Sequence, residues 1–186
     1  MTMTQQNAAN IIGGRPDASR EAAQLVLDTY GPPQEATDTR PTWHRPGPWK
    51  RLVASRTYYE HHFPAPHIDS AESFIDYQVP PEKFTPLARF DGSVIAERTA
   101  VEVSARCHDE QANFLALNLM HDIVTGEKPP EEARDHYAKE FADHRRGRST
   151  PYMERLRFAP GHDTAAPDRR LLSDEDLARA AAEGGG

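Results

Sequence analysis

Nine residues, His61-His62-Phe63-Pro64-Ala65-Pro66-His67-Ile68-Asp69, hold three imidazoles, two prolines and a carboxylate. Imidazole nitrogens and carboxylate oxygens ligate zinc and non-haem iron, and imidazole also moves protons near neutral pH. His67 and Asp69 are two apart, so in an extended chain both side chains project to one side. His61 or His62 can swing in as a third ligand, and two histidines with one carboxylate leave coordination positions open. Three readings stand side by side. One is a divalent metal site, for iron or zinc, drawn from His61, His62, His67 and Asp69. The second is a metal-free acid–base or substrate-binding site with His62, His67 and Asp69 as its catalytic groups. The third is a structural proline–histidine loop. A His-x-Asp element also occurs in iron oxygenases of the double-stranded β-helix type. The chain after Asp109 reads as helical, however, and leaves too few strands for that architecture.

A second group of residues surrounds this segment in sequence. Trp43 and Trp49 flank Arg45-Pro46-Gly47-Pro48, whose prolines and glycine continue neither helix nor ladder, so residues 42–56 read as a β-hairpin. Two tryptophans so placed suggest a cross-strand aromatic pair. With Arg51, they form one wall to which an anionic substrate could bind, since the planar guanidinium matches carboxylate and phosphate. The alternative is a solvated, charge-blunted edge strand. Arg98 is a second anion-binding candidate, although Arg98, Glu102 and Arg106 alternate in sign and can pair among themselves. Asn113 falls on the apolar arc of a helix, where a buried amide must find a partner. It is therefore either a structural hydrogen-bonding group or a pocket-lining one. Cys107-His108 looks like a nucleophile beside a base, but such pairs are neighbours in space rather than in sequence, and a small buried thiol is the default.

The bulk composition narrows the function classes. Hydrophobic residues make up 37% of the 186, and the net charge is −7, which speaks against a nucleic-acid binder. One cysteine rules out an intramolecular disulfide and a cysteine-rich zinc module. The first residues lack the basic and apolar regions of a secretory signal, and no run approaches the roughly 18 apolar residues of a membrane span. The expectation is a cytoplasmic protein with a small-molecule substrate and neither a nucleic-acid nor a membrane partner.

The elements that must position these groups can be read in order. Residues 1–15 are polar, end in Gly13-Gly14 and are expected to be disordered. A helix spans about 20–30, stopped by Gly31-Pro32-Pro33. After the hairpin and the histidine segment, residues 73–79 alternate as a strand, with Ile75, Tyr77 and Val79 inward. A short helix over 82–90 follows Pro80-Pro81. Residues 93–107 carry the strongest strand signal but exceed a usual strand, so a bend or tight hairpin is expected near Thr99-Ala100. Asp109 caps the main helix, 110–125, and Gly126 closes it. A further amphipathic helix starts at Pro129-Pro130 and ends near Gly147.

Beyond residue 147 the period is lost. Tyr152, Met153, Leu156 and Phe158 can dock on the domain, residues 159–170 read as a linker, and Ser173-Asp174-Glu175-Asp176 opens a capped terminal helix. The organisation is therefore one α+β domain over 16–147, with an extended C-terminal segment over 148–186. Its architecture is a small antiparallel sheet of four or five strands covered on one face by helices.

Several segments together resemble a family of small bacterial proteins of unknown function: Gly47-Pro48-Trp49-Lys50-Arg51, His62 to Asp69, Phe90-Asp91-Gly92-Ser93-Val94-Ile95, Ser104-Ala105-Arg106-Cys107, and Asn113 to Leu119. The likeness covers roughly residues 30–137. It implies a bacterial, single-domain, cytoplasmic protein and assigns no activity or catalytic residue. Two functions follow as expectations. The first is a small-molecule enzyme with a His/Asp-lined pocket, metal-dependent or acid–base, acting on an anionic substrate. The other is a non-catalytic module whose C-terminal segment docks a protein partner or makes a homodimer.

Overall fold

The computed structural model describes residues 5–161 and 168–184. Five strands form one antiparallel sheet: β1 (Thr42–His44), β2 (Arg51–His61), β3 (His67–Asp76), β4 (Val94–Glu97) and β5 (Glu102–Cys107), in the order β1-β2-β3-β5-β4. Around it lie helices α1 (Gln5–Gly13), α2 (Asp17–Tyr30), α3 (Phe84–Phe90), α4 (Glu110–Thr125), α5 (Pro130–Arg145), α6 (Pro151–Glu154) and α7 (Asp174–Glu183). The α+β class and the antiparallel sheet are those expected. Among the described residues no helix is long and apolar enough to cross a membrane.

Strand alternation decides what each face of the sheet does. Leu52, Ala54, Ala71, Ser73, Ile75, Val103 and Ala105 are buried on the face that meets α2 and α4. Helix α4 sits in the middle of the core: Asp109 accepts a hydrogen bond from the Ala112 N–H at its start, and Gly126 in the left-handed region ends it. Its Asn113 donates from Nδ2 to the Ala71 carbonyl (3.1 Å) and the Ser73 hydroxyl (2.8 Å), pinning the helix to β3. Glu110 receives the Tyr30 hydroxyl and the Trp49 indole N–H, joining α2, the hairpin and α4.

The β2–β3 ladder is interrupted. Ala54 faces Ala71 and Tyr59 faces Asp69, so four residues, 55–58, bulge opposite the single residue Ser70. The expected break in 93–107 is a tight turn between β4 and β5, in which Val101 takes φ 51°, an unusual backbone for a β-branched residue. The turn reverses the chain, so Ile95 stands opposite Ser104 and is 47% exposed, instead of sharing the inward face with Val103, Ala105 and Cys107.

Other expectations are corrected. Residues 5–13, expected to be disordered, form α1, which buries Ala8 and Ile12 in the core, and the Arg15 guanidinium donates to the Ala54 carbonyl. Alternation with a period of 3.6 in Ala8, Ala9 and Ile12 is too short a signal to read in a polar setting. At the other end the docking expected of Tyr152, Met153, Leu156 and Phe158 is observed: Met153 is buried and the other three pack against the same core. The core therefore extends beyond 16–147 on both sides. Trp43 and Trp49 do not pair: Trp43 faces Leu52, while Trp49 stacks on Phe114 at 4.6 Å. The expected linker lies partly outside the described residues.

Candidate metal centre

His61 ends β2 and His67 begins β3, and the two are direct cross-strand partners. Opposed residues of an antiparallel pair share a face, and Asp69, two beyond His67, shares it as well. The proline-bearing loop thus closes the hairpin and sets three polar side chains on the helix-covered side. Their ring and carboxylate atoms offer one ligand each within 4.8 Å of one another. Asp69 is 1% exposed, and the side chains of His67 and His61 are 9% and 20% exposed.

The bonds around His67 orient it. Its Nδ1 lies 2.8 Å from the Ala65 carbonyl, an acceptor only, so Nδ1 carries a proton and Nε2 faces inward. Nε2 is 3.1 Å from Asp69 Oδ1 and 3.3 Å from Cys107 Sγ. Burial lowers the proton affinity of His67, but the Asp69 carboxylate and the Cys107 sulfur outweigh it and push the pKa up to about 11. Asp69 Oδ2 accepts the Ser93 hydroxyl (2.5 Å) and lies 3.3 Å from His61 Nδ1. Oδ1 is buried, and its near neighbour is His67 Nε2, with which it forms an ion pair outside aligned hydrogen-bond geometry.

The α3–β4 turn and two further elements complete the surroundings. Asp91 is buried, its Oδ1 accepts the Ser93 N–H (2.8 Å), and it lies 3.6 Å from His61 Nε2; burial raises its pKa. Cys107, at the end of β5, is buried beside the Tyr137 hydroxyl of α5 (3.7 Å), and burial pushes both the thiol and the phenol up. Next to this cluster a cavity of about 380 Å³ is lined by His67 and Cys107 together with apolar Ile68, Phe141 and Met153, while His144 and Arg145 stand at its edge.

Of the residues singled out in the sequence, His61, His67 and Asp69 come together and His62 does not: it is exposed and outside the group. Trp43 and Trp49 are core residues, and their indole N–H groups are spent on Gly31 and Glu110. Arg51 makes a two-pronged pair with Glu102 (2.6 Å each) over the Phe74 ring, and Arg98 pairs with Asp168. Glu102 is thus paired with Arg51 and Lys50, not with its strand neighbours. Asn113 holds β3 to α4 and lines no pocket described above. None of these five faces the centre. Asp91, Ser93 and Tyr137 were not singled out in the sequence, whereas Cys107 is the buried thiol expected, with a partner that the sequence did not name. Asp91 and Ser93 flank the glycine of the turn between α3 and β4, and an Asp-x-Ser turn at that place presents a carboxylate and a hydroxyl together. The Cys107 partner is His67, forty residues away, and only the β3–β5 register reveals it. No protein-family model, curated protein or solved structure matches this chain.

Proposed function

We propose that His61, His67 and Asp69 hold a divalent cation of the zinc or iron type, and that the protein is an enzyme acting on a small anionic molecule bound in the adjoining cavity. The observation that carries the reading is convergence: His61, His67 and Asp69 each bring one ligand atom within 4.8 Å of the others, and the buried Asp69 Oδ1 lies 3.1 Å from the inward-facing His67 Nε2. As the metal-free chain stands, protonated His67 and Asp69 form a buried ion pair, and a cation taking the place of the Nε2 proton would be held by both. The Ala65 carbonyl on His67 Nδ1 is the outer contact that ligating histidines usually carry.

The rival chemistries fare worse. A general acid or base works best with a pKa near the working pH, and His67 at about 11 stays protonated there. A cysteine nucleophile needs its thiolate, and burial holds Cys107 in the thiol form. A three-ligand centre leaves positions for water or a substrate oxygen, which the cation polarises. Arg145 supplies positive charge in the cavity lining, which also holds the Asp109 carboxylate, and Phe141 and Met153 supply an apolar wall. This replaces Arg51 and Arg98 as the anion-binding groups.

The test is metal stoichiometry in protein loaded with Zn²⁺ or Fe²⁺ and then desalted, for the parent chain and for His67→Ala and Asp69→Ala. One equivalent retained by the parent and none by either variant is expected. Equal metal content in all three removes the reading.

A second reading, assembly through the C-terminal segment, draws on α7. Its capping box is complete and none of its residues is buried, and Leu172 and Leu177 are 56% and 50% exposed. Since Tyr152 to Phe158 belong to the core, the useful truncation begins at Arg170. A fall in solution mass beyond that of the deleted residues supports docking between copies, and an unchanged assembly state counts against it.

A further inference from the structure

The face of the sheet opposite the candidate centre carries a second concavity, built by the β2 bulge. Residues 55–58 leave the ladder, with the Arg56 N–H donating to the Thr39 carbonyl and the Ala54 N–H to the Pro41 carbonyl. The strand thereby opens a cup of about 320 Å³ over Ser70, with Arg40, Tyr59, Glu72, Phe74 and Arg106 around it. Alternation puts Ser70, Glu72 and Phe74 on this side of β3, just as it puts His67 and Asp69 on the other.

The polar groups in the cup are unevenly satisfied. Glu72 accepts the Ser104 hydroxyl (2.7 Å), His44 faces Glu35 (2.9 Å), and Arg51 is engaged by Glu102. Ser70 is 0% exposed, and its Oγ has no partner among the described residues. Arg106 stacks its guanidinium 4.5 Å over the Tyr59 ring, but its Nε is buried without an acceptor. Arg40 lines the cup and forms no ion pair among the described residues. Two buried donors, Ser70 Oγ and Arg106 Nε, therefore face one hollow without a bonded acceptor, and the exposed Arg40 adds a second positive charge to a lining that also holds the Glu35 and Glu72 carboxylates. Buried donors in that state are rare and point to a ligand.

We propose that this cup binds an oxyanion, the phosphate or carboxylate of a small polar molecule, with Arg106 and Arg40 on its charge and the Ser70 hydroxyl at its floor. A planar guanidinium held flat against an aromatic ring presents its edge N–H groups in the geometry that phosphate and carboxylate accept. The volume exceeds that of the anion alone, so Phe74 and Val53 contact an organic body. The site shares strand β3 with the metal centre but none of its residues, so either can fail without the other.

The test is calorimetric titration of the full chain with inorganic phosphate and with acetate at matched ionic strength, with chloride as the control. Saturable binding of at least one anion is expected, and which of the two binds tells phosphate from carboxylate recognition. Arg106→Gln and Arg40→Gln should each raise Kd by roughly tenfold or more, the usual loss for a charge-assisted hydrogen bond. Ser70→Ala keeps the proposal decidable if Arg106→Gln disturbs the Tyr59 stack. Removing a hydroxyl that bonds to nothing should leave the anion-free melting temperature unchanged or higher, and should weaken anion binding. Heats no larger than those of chloride for both anions, or undiminished affinity in Arg40→Gln and Ser70→Ala, overturn it.

Discussion

Asp69 and Asp122 are both buried aspartates, 1% and 5% exposed, each beside a basic side chain, and they are satisfied in opposite ways. Asp122 Oδ2 takes the Lys128 ammonium at 2.5 Å and the Tyr152 hydroxyl at 3.0 Å, so α4, the α4–α5 turn and α6 are tied through one carboxylate. Lys128 keeps part of its surface in water, which lowers the cost of burying the pair. Asp69 has its Oδ2 bonded to Ser93, while its Oδ1 meets only the His67 imidazolium, off hydrogen-bond alignment. A carboxylate whose partners are all supplied by the chain is structural. One whose basic partner is an imidazole, able to give up its proton, is the kind that the proposed cation could use.

Replacing each carboxylate separates the two cases. Asp69→Asn keeps the size and the Ser93 contact but removes the charge and one ligand oxygen. Cation affinity should fall by well over the roughly 100-fold that marks loss of an outer contact. Competition with a chromogenic chelator measures it, and an affinity within tenfold of the parent would refute the assignment of Asp69 as a ligand. Asp122→Ala should do the reverse. It strands Lys128 and the Tyr152 hydroxyl and should cost about 2–3 kcal/mol, toward the low end for a broken buried pair because Lys128 reaches solvent. Urea unfolding reads the loss, and cation affinity in the folded variant should be unchanged.

Proton release sharpens the contrast further. The His67 pKa near 11 means that the cation must displace a proton from Nε2. Cation affinity should therefore rise about tenfold per pH unit between pH 6 and 8, with one proton released per ion, as titrations in buffers of different ionisation enthalpy will show. The metal-free protein should behave in the opposite sense. A histidine whose pKa is raised on folding stabilises the fold fully below its unfolded value, about 6.5, and that contribution drains away as pH climbs toward 11. Melting temperatures of chelator-treated protein should decline across that window, and those of Asp69→Asn should decline less.

The sequence carried the elements better than the contacts. Helix α4, its Asp109 cap and its Gly126 stop were legible because cap, period and left-handed glycine are local signals. The His67-x-Asp69 pair was legible for the same reason, since alternation alone puts the two on one side. His61 against His62 was not, because that choice depends on the β2–β3 register, which the sequence does not print. Trp43, Trp49, Arg51 and Arg98 stayed open for one cause: residue types that suit a binding wall also suit an aromatic core contact or an internal ion pair. Only burial and partners separate the two uses.

Asp91 supplies the smallest effect and the finest distinction. It is buried and near His61, so by position it could be a fourth ligand. Its circumstances differ from those of Asp69 in one respect: Oδ1, the oxygen nearest His61, already accepts the Ser93 N–H. Burial also raises its pKa, so the charge that a ligand would contribute is held less firmly. Asp91→Asn preserves an oxygen for the Ser93 N–H and removes only that charge. Cation affinity should drop by less than about tenfold, within the range of an outer-contact change, while the fold stays intact. A loss as large as that of Asp69→Asn would make the centre a two-histidine, two-carboxylate site with fewer open positions, and would weigh against substrate binding directly to the ion.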